Sequence, residues 1–184
     1  MAEMKTKMLN GIDTEGLADL IERIKQNPEL AQFRFRARNR WQGGTHNQTR
    51  IDSYYGMGNE QMHARAFLAN CDEPRDLGGD DTFPGPADWL LHALAGCVCT
   101  TLVAHAAARG IAIQSIETEL DGEMDVRGFL GASPDAPKGY KSIHVIMHVK
   151  SDAPVEQLKQ LAEFSPIFNT LRDPVDVTVD VQKA

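Results

Sequence analysis

The sequence predicts an α+β fold, and three observations carry that prediction. A strictly alternating run at Phe33–Trp41 is followed by two more candidate strands, a proline-started and glycine-stopped apolar segment spans Gly85–Gly110, and two further alternating runs precede a short helix and a closing strand. Strands that come in runs, with helices between the runs, point to segregated rather than regularly alternating layers. With 184 residues, 42% of them hydrophobic and 24% charged, the chain has the mass for one core, and a single domain over residues 1–184 is expected, with residues 1–30 as an N-terminal helical arm.

The arm's helix starts at Asp13 or Thr14 as cap and stops before Asn27-Pro28, because the residue before a proline avoids the helical region. Leu17, Leu20, Ile21 and Ile24 fall at helical spacing, an apolar stripe that needs a surface to cover. The alternation Phe33 to Trp41 reads as a strand that places Arg34, Arg36, Arg38 and Arg40 on one face. Gly43-Gly44 supplies a turn, and Thr49 to Tyr55 and Met62 to Leu68 complete a three-stranded meander. From Ala69 to Gly85 the composition shifts to Asp, Glu, Gly and Pro, a long loop of the kind that contributes to sites.

Pro86 is tolerated in a first helical turn and Gly110 suits a left-handed cap, so the segment between them reads as one helix of roughly 35 Å. Apolar residues occur all round it, which predicts burial on most sides and, with one such helix per chain, a dimer. After it, Ile111 to Leu120 and Ser142 to Lys150 read as paired strands joined through the Gly- and Pro-containing stretch Val126 to Tyr140. Asp152 caps a helix with Pro154 in its first turn, and Val175 to Val181 closes the chain as a strand.

Nineteen basic against 26 acidic side chains give a net charge of −7, which repels phosphate backbones, so no nucleic-acid partner is expected. Cys71, Cys97 and Cys99 are too few and too odd in number for a disulfide framework, and a reducing cytoplasm fits them. The opening residues MAEMKTKMLNGIDTEG lack the apolar core of a secretory signal, so no targeting segment is expected, and the apolar stretch Trp89 to Ala108 is interrupted by His92, Thr100, Thr101 and His105, so a buried helix is expected and no membrane partner.

Cys97 and Cys99 stand about 200° apart around a helix and cannot pair with each other. Neither His92 nor His105 lies three or four residues from Cys97, and Cys97 is past the first turn where the helix dipole favours a thiolate, so any activation must come from elsewhere in the fold. His92 and Cys99 share a face roughly 10 Å apart, too far for one zinc, and His144 and His148 are about 13 Å apart on a strand. No metal site and no cofactor are expected. Gly96 costs about 1 kcal/mol in mid-helix and predicts a close approach beside Cys97, by a packed helix or a ligand. By itself Cys97 reads either as a small buried hydrophobe or as a nucleophile.

Three segments, CDEPRDLGGDDTFPGPADWLLHALAGC, LDGEMDVRGFLG and SPIFNTLRDPVDVTVDV, resemble the OsmC/Ohr family of osmotically inducible and organic hydroperoxide resistance proteins, and the resemblance runs from about Arg36 to the C-terminus. It implies an α+β fold of intertwined homodimers around long central helices. It also implies reduction of organic hydroperoxides by a peroxidatic cysteine, which maps to Cys97, helped by a resolving cysteine, an arginine and a glutamate. The helpers depart from the pattern: Ser165 stands at the second cysteine, Ala87 at the glutamate with Asp88 one residue late, and Thr45 and His46 near the arginine.

A sulfenic acid on Cys97 would then need an external thiol or Cys71 to resolve it, and one of the four arginines could supply the missing cation. The sequence therefore carries two expectations. One is an OsmC-like thiol protein of oxidative or electrophile stress, a candidate thiol-dependent peroxidase, with a hydroperoxide substrate and an external thiol reductant. The other is a non-catalytic dimer whose pocket, with Cys97 in its wall, holds a small apolar ligand.

Overall fold

The computed structural model describes residues 7–183, so residues 1–6 of the expected arm lie outside the described residues. The chain divides into two compact units, one holding Asp13–Leu90 and the other Leu91 onward together with Leu9–Ile12.

The first unit opens with helix α1 (Thr14–Gln26), capped by Asp13, whose carboxylate accepts from the amides of Glu15 and Gly16, and stopped at Asn27 ahead of Pro28. None of its residues is buried: Leu17, Leu20 and Ile24 are half-buried and Ile21 is exposed, so its stripe is only partly covered. Short strands β1 (Met8–Leu9) and β2 (Ile12–Asp13) precede it.

The meander forms from β4 (Arg38–Gly43), β5 (His46–Gly56) and β6 (Asn59–Cys71), joined by antiparallel pairing, with β5 and β6 longer than expected. The expected single strand over residues 33–41 is broken. Its start survives as β3 (Arg34–Phe35), and Arg36 and Ala37 interrupt the ladder. From Arg34↔Tyr55 to Arg38↔Arg50 one strand advances four residues and the other five, so the alternation slips and Arg34 points to the opposite face from Arg38. The four arginines therefore do not share a face. Arg36 forms a bidentate pair with Glu60, and Arg38 and Arg50 both reach Asp52.

The second unit is built on the antiparallel pair β7 (Ser115–Met124) and β8 (Tyr140–Lys150), both alternating in burial. On β8, Ile143, Val145, Met147 and Val149 turn inward, while His144 and His148 face solvent. Helix α2 (Pro86–Ala108) contributes Leu102 and Ala106 to a core with Leu158 and Leu161, against which Ile116, Met147 and Val149 pack. Asn10 ties the Leu9–Ile12 segment to this unit, its side chain donating to Ile111 O and accepting from Ile113 N. The connection between the strands holds a single turn, α3 (Val126–Phe129).

Three expectations change here. Helix α4 (Val155–Ala162) has Pro154 itself at the cap position, with no side-chain cap from Asp152. A further helix, α5 (Pro166–Arg172), follows it. Val175 to Val181 forms no strand: residues 174–183 take no regular secondary structure, and Val175, Val177, Val179 and Val181 are all exposed. The alternation of valine with Asp and Thr has the pattern of a strand, but no ladder partner meets it among the described residues, and a strand without a partner leaves its backbone to water.

Candidate functional site

Helix α2 begins where Gly85 N donates to Asp88 Oδ2 (2.9 Å) and ends in a left-handed glycine cap. Gly110 has φ 72°, and Ile111 N reaches back to Ala106 O (2.9 Å), closing the last turn. Asp88, one position after the site of the family's glutamate, thus serves the helix end. The buried residues Leu94, Val98, Leu102 and Ala106 recur every fourth position as a stripe, widened at its end by buried Ala107. Burial on most sides is not what the structure has: Cys97 and Cys99 flank the stripe, both only half-buried and both reduced. By length and composition α2 could cross a membrane, but its stripe packs into the core of the second unit.

The close approach expected at Gly96 is not made among the described residues. Apart from its chain neighbours and the helix's own backbone, none of their atoms comes within 4 Å of where a Cβ would sit, and the Thr100 hydroxyl donates back to Gly96 O (2.9 Å). One strip of α2 beside Cys97, at Gly96 and Thr100 a turn apart, therefore lies exposed.

The loop that leads into α2 is organised by a carboxylate. Asp72 is 2% exposed and accepts five hydrogen bonds, from Thr45 Oγ1 (2.6 Å), Glu73 N (2.9 Å), Asp80 N (3.2 Å), Thr82 N (3.1 Å) and Thr82 Oγ1 (2.9 Å). These donors, Thr45 Oγ1 first and the Thr82 amide next, hold its carboxyl far below the usual carboxylate range. The chain must then turn tightly enough that a Cβ on Gly79 would collide with the Glu73 carbonyl, which is why glycine stands there. Trp89, at the head of α2, donates its indole N–H to Asn70 O (3.0 Å), fixing the helix start to the end of β6.

The residues at the family's other catalytic positions have identifiable structural tasks. Ser165 is fully buried and caps α5, its Oγ accepting from Phe168 N (3.2 Å), a role worth about 1 kcal/mol. Thr45 is the shortest donor to Asp72. His46 opens β5 with its ring against Phe83, centroids 4.9 Å apart. Cys71 ends β6 opposite Asn47, and burial, then the Glu73 charge, push its thiol above the ordinary value, which makes it a poor thiolate at neutral pH. His105 stacks on Phe164 (4.3 Å) beside Arg109, which, after burial, holds its pKa down. Among the described residues no three His, Cys, Asp or Glu side chains come together as a metal site.

The second unit also contains a largely apolar cavity of about 590 Å³ between α2, β8, α4 and α5, with Val98, Leu102, Met147, Leu158 and Phe168 in its walls and Lys159 and Glu163 among its few charged groups. Cys97 is not in its wall, since the cavity meets α2 on the Val98–Leu102 side. Sequence reasoning missed this cavity, the Asp72 hub and α5. The Ser165-Pro166 pair was a legible cap signal for α5, and the Asp, Gly and Thr content of residues 72–82 for the hub.

No curated protein matches the chain. Among solved structures, an OsmC-like protein from Mycoplasma pneumoniae superposes with a TM-score of 0.57 at 18% identity, covering 77% of this chain and 89% of that one. A candidate osmotic stress induced and detoxification response protein from Psychrobacter arcticus does so with a TM-score of 0.54 at 17% identity, covering 73% and 85%. These likenesses show the α+β fold. The sequence model of OsmC-like proteins matches residues 78–180, which include α2 with its thiols, the β7–β8 pair, α4, α5 and the C-terminal valines. The chain belongs to the OsmC-like protein family.

Proposed function

We propose that this chain is a thiol protein of oxidative or electrophile stress in which Cys97 reduces organic hydroperoxides. The observation that carries the reading is Cys97 itself, a reduced, half-exposed thiol on the central helix of the matched segment, beside the open face at Gly96 and Thr100. The detoxification response ascribed to the Psychrobacter relative agrees with it. The thiolate attacks the outer oxygen of ROOH, the O–O bond breaks, ROH leaves after taking a proton, and Cys97 becomes a sulfenic acid. With Ser165 engaged as a cap and the Cys71 thiol pushed upward, an external thiol resolves it. The first such thiol forms a mixed disulfide and releases water, and a second regenerates Cys97 as an external disulfide leaves. Three reduced cysteines suit a cytoplasmic setting for this cycle.

The test exposes purified protein to excess cumene hydroperoxide in the presence of dimedone and maps the modified residue by mass spectrometry. Dimedone on Cys97, with peroxide consumed when dithiothreitol is supplied, is the expected result. An unmodified Cys97 and an undiminished peroxide level would sink the reading. The second reading, a non-catalytic carrier of a small apolar ligand, is favoured by the cavity of about 590 Å³, a size ordinary for such ligands.

The working unit is a homodimer. The unpaired valines at residues 175–181, which fall almost entirely inside the matched segment, supply a strand for the open edges of a second copy. Light scattering at micromolar concentration is expected to give twice 20.3 kDa. A monomer there overturns the assignment.

A further inference from the structure

Two open strand edges of this chain carry charge of opposite sign. Among the described residues β4 pairs only with β5, and β7 only with β8, so one edge of each strand keeps its N–H and C=O groups unpaired. On β4, Arg38 and Arg40 stand two residues apart on one face, both exposed. Arg38 lies directly opposite Arg50 and shares the Asp52 carboxylate with it, which leaves that face with surplus positive charge. Across residues 33–71 six arginines stand against Asp52 and Glu60, in a chain whose net charge is −7.

The β7 edge is the converse. Its exposed face presents Glu117, Glu119, Asp121 and Glu123 in strict alternation, and Ser115–Met124 contains no basic residue. Relief from β8 is slight: His148 stands 3.5 Å from Glu119 and counts only when protonated, and Lys141 stands 3.7 Å from Glu123.

We propose that these edges are a matched pair: β4 of one copy adds alongside β7 of a second, and Arg38 and Arg40 meet the carboxylate row at Glu119 and Asp121. The pairing rests on the homodimer proposed above, and it names the edges that meet and the residues that select them. Side chains on one face of a strand recur every ~6.8 Å, so two arginines two residues apart match two successive carboxylates. The same charges exclude the alternatives. Carboxylates would face carboxylates in a β7–β7 pair, and arginines would face arginines in a β4–β4 pair. The β8 edge has Lys141 and Lys150 near its ends and no acidic residue, and β6 offers β4 only Glu60, which Arg36 already holds. A general guard against aggregation needs charge on an edge, but not opposite signs on two of them.

The test mixes two charge-reversed full-length proteins, Arg38→Glu/Arg40→Glu and Glu119→Arg/Asp121→Arg, and reads dimer dissociation by sedimentation. Wild type is expected to dimerise, and each variant alone should do so at least about tenfold more weakly, because like charges then face each other at both contacts of a two-fold pair. Mixed one to one, they should regain wild-type affinity as a heterodimer, since each contact then joins opposite charges. Should a reversal unfold the chain, Arg38→Gln/Arg40→Gln, which removes charge without reversing it, should still weaken the dimer about threefold or more. Wild-type affinity in any of these variants alone, or no recovery on mixing two variants that keep the wild-type circular dichroism, overturns the pairing and leaves the homodimer standing. A monomeric wild type overturns the homodimer itself.

Discussion

Asp72→Ala is expected to lower the melting temperature by roughly 5–10 °C, measured by differential scanning calorimetry at fixed protein concentration. The substitution strands Thr45 Oγ1, the Thr82 hydroxyl and the amides of Glu73, Asp80 and Thr82, all of which converge on one enclosed carboxylate. Asp72→Asn keeps the shape but faces those donors with an amide N–H₂, so it recovers only part of the loss. The acid dependence has a definite sign. The folded carboxyl titrates far below its unfolded value, so its contribution is complete above the unfolded value, near 3.9, and is lost as pH falls through the lower folded value. The gap in melting temperature between wild type and Asp72→Asn should therefore stay level from pH 7 to about 5 and close only in stronger acid. A gap that narrows around pH 6 would assign the effect to another group. Because Thr45 and Thr82 precede His46 and Phe83, the same variant should also broaden the His46 ring resonances in a 15N-histidine NMR spectrum.

The parts of this fold that were legible in the sequence are those set by local rules. Asp13 and Pro28 bound α1, Pro86 and Gly110 bracket α2, and the alternation in β8 matches its burial residue by residue. What was not legible depended on register or on distant partners. The arginine run alternates without fault in the sequence, but a slip of one residue between β3 and β4 sends Arg34 and Arg38 to opposite faces, and nothing in the composition marks that slip. Val175 to Val181 has a strand's pattern and no ladder within the described chain, because a strand is completed only by its neighbour.

The site divides in the same way. Cys97 could be singled out by resemblance, and the tasks of Ser165 and Thr45 became visible only when their hydrogen bonds did. These tasks explain why the departures from the family's pattern are tolerated by the fold: a serine in front of Pro166 caps α5, and a threonine in front of His46 serves Asp72.

Leu102→Ala should cost about 3 kcal/mol of unfolding free energy, read from urea denaturation at constant protein concentration, since assembly makes apparent stability concentration-dependent. Leu102 is 1% exposed and lies in the core cluster with Ala106, Leu158 and Leu161, so its side chain joins α2 to α4. It also borders the cavity of about 590 Å³, and on that side it already lacks packing partners. The loss should therefore fall in the middle of the usual range of about 2–5 kcal/mol for Leu→Ala. The cavity would grow by the volume removed, and its walls would remain apolar. A small hydrocarbon such as benzene is then expected to raise the melting temperature of Leu102→Ala more than that of wild type. Equal rises in the two proteins would mean that the core had closed over the missing side chain. In that case the open volume beside α2 is not held by a rigid framework, and the reading of this protein as a ligand carrier loses its principal support.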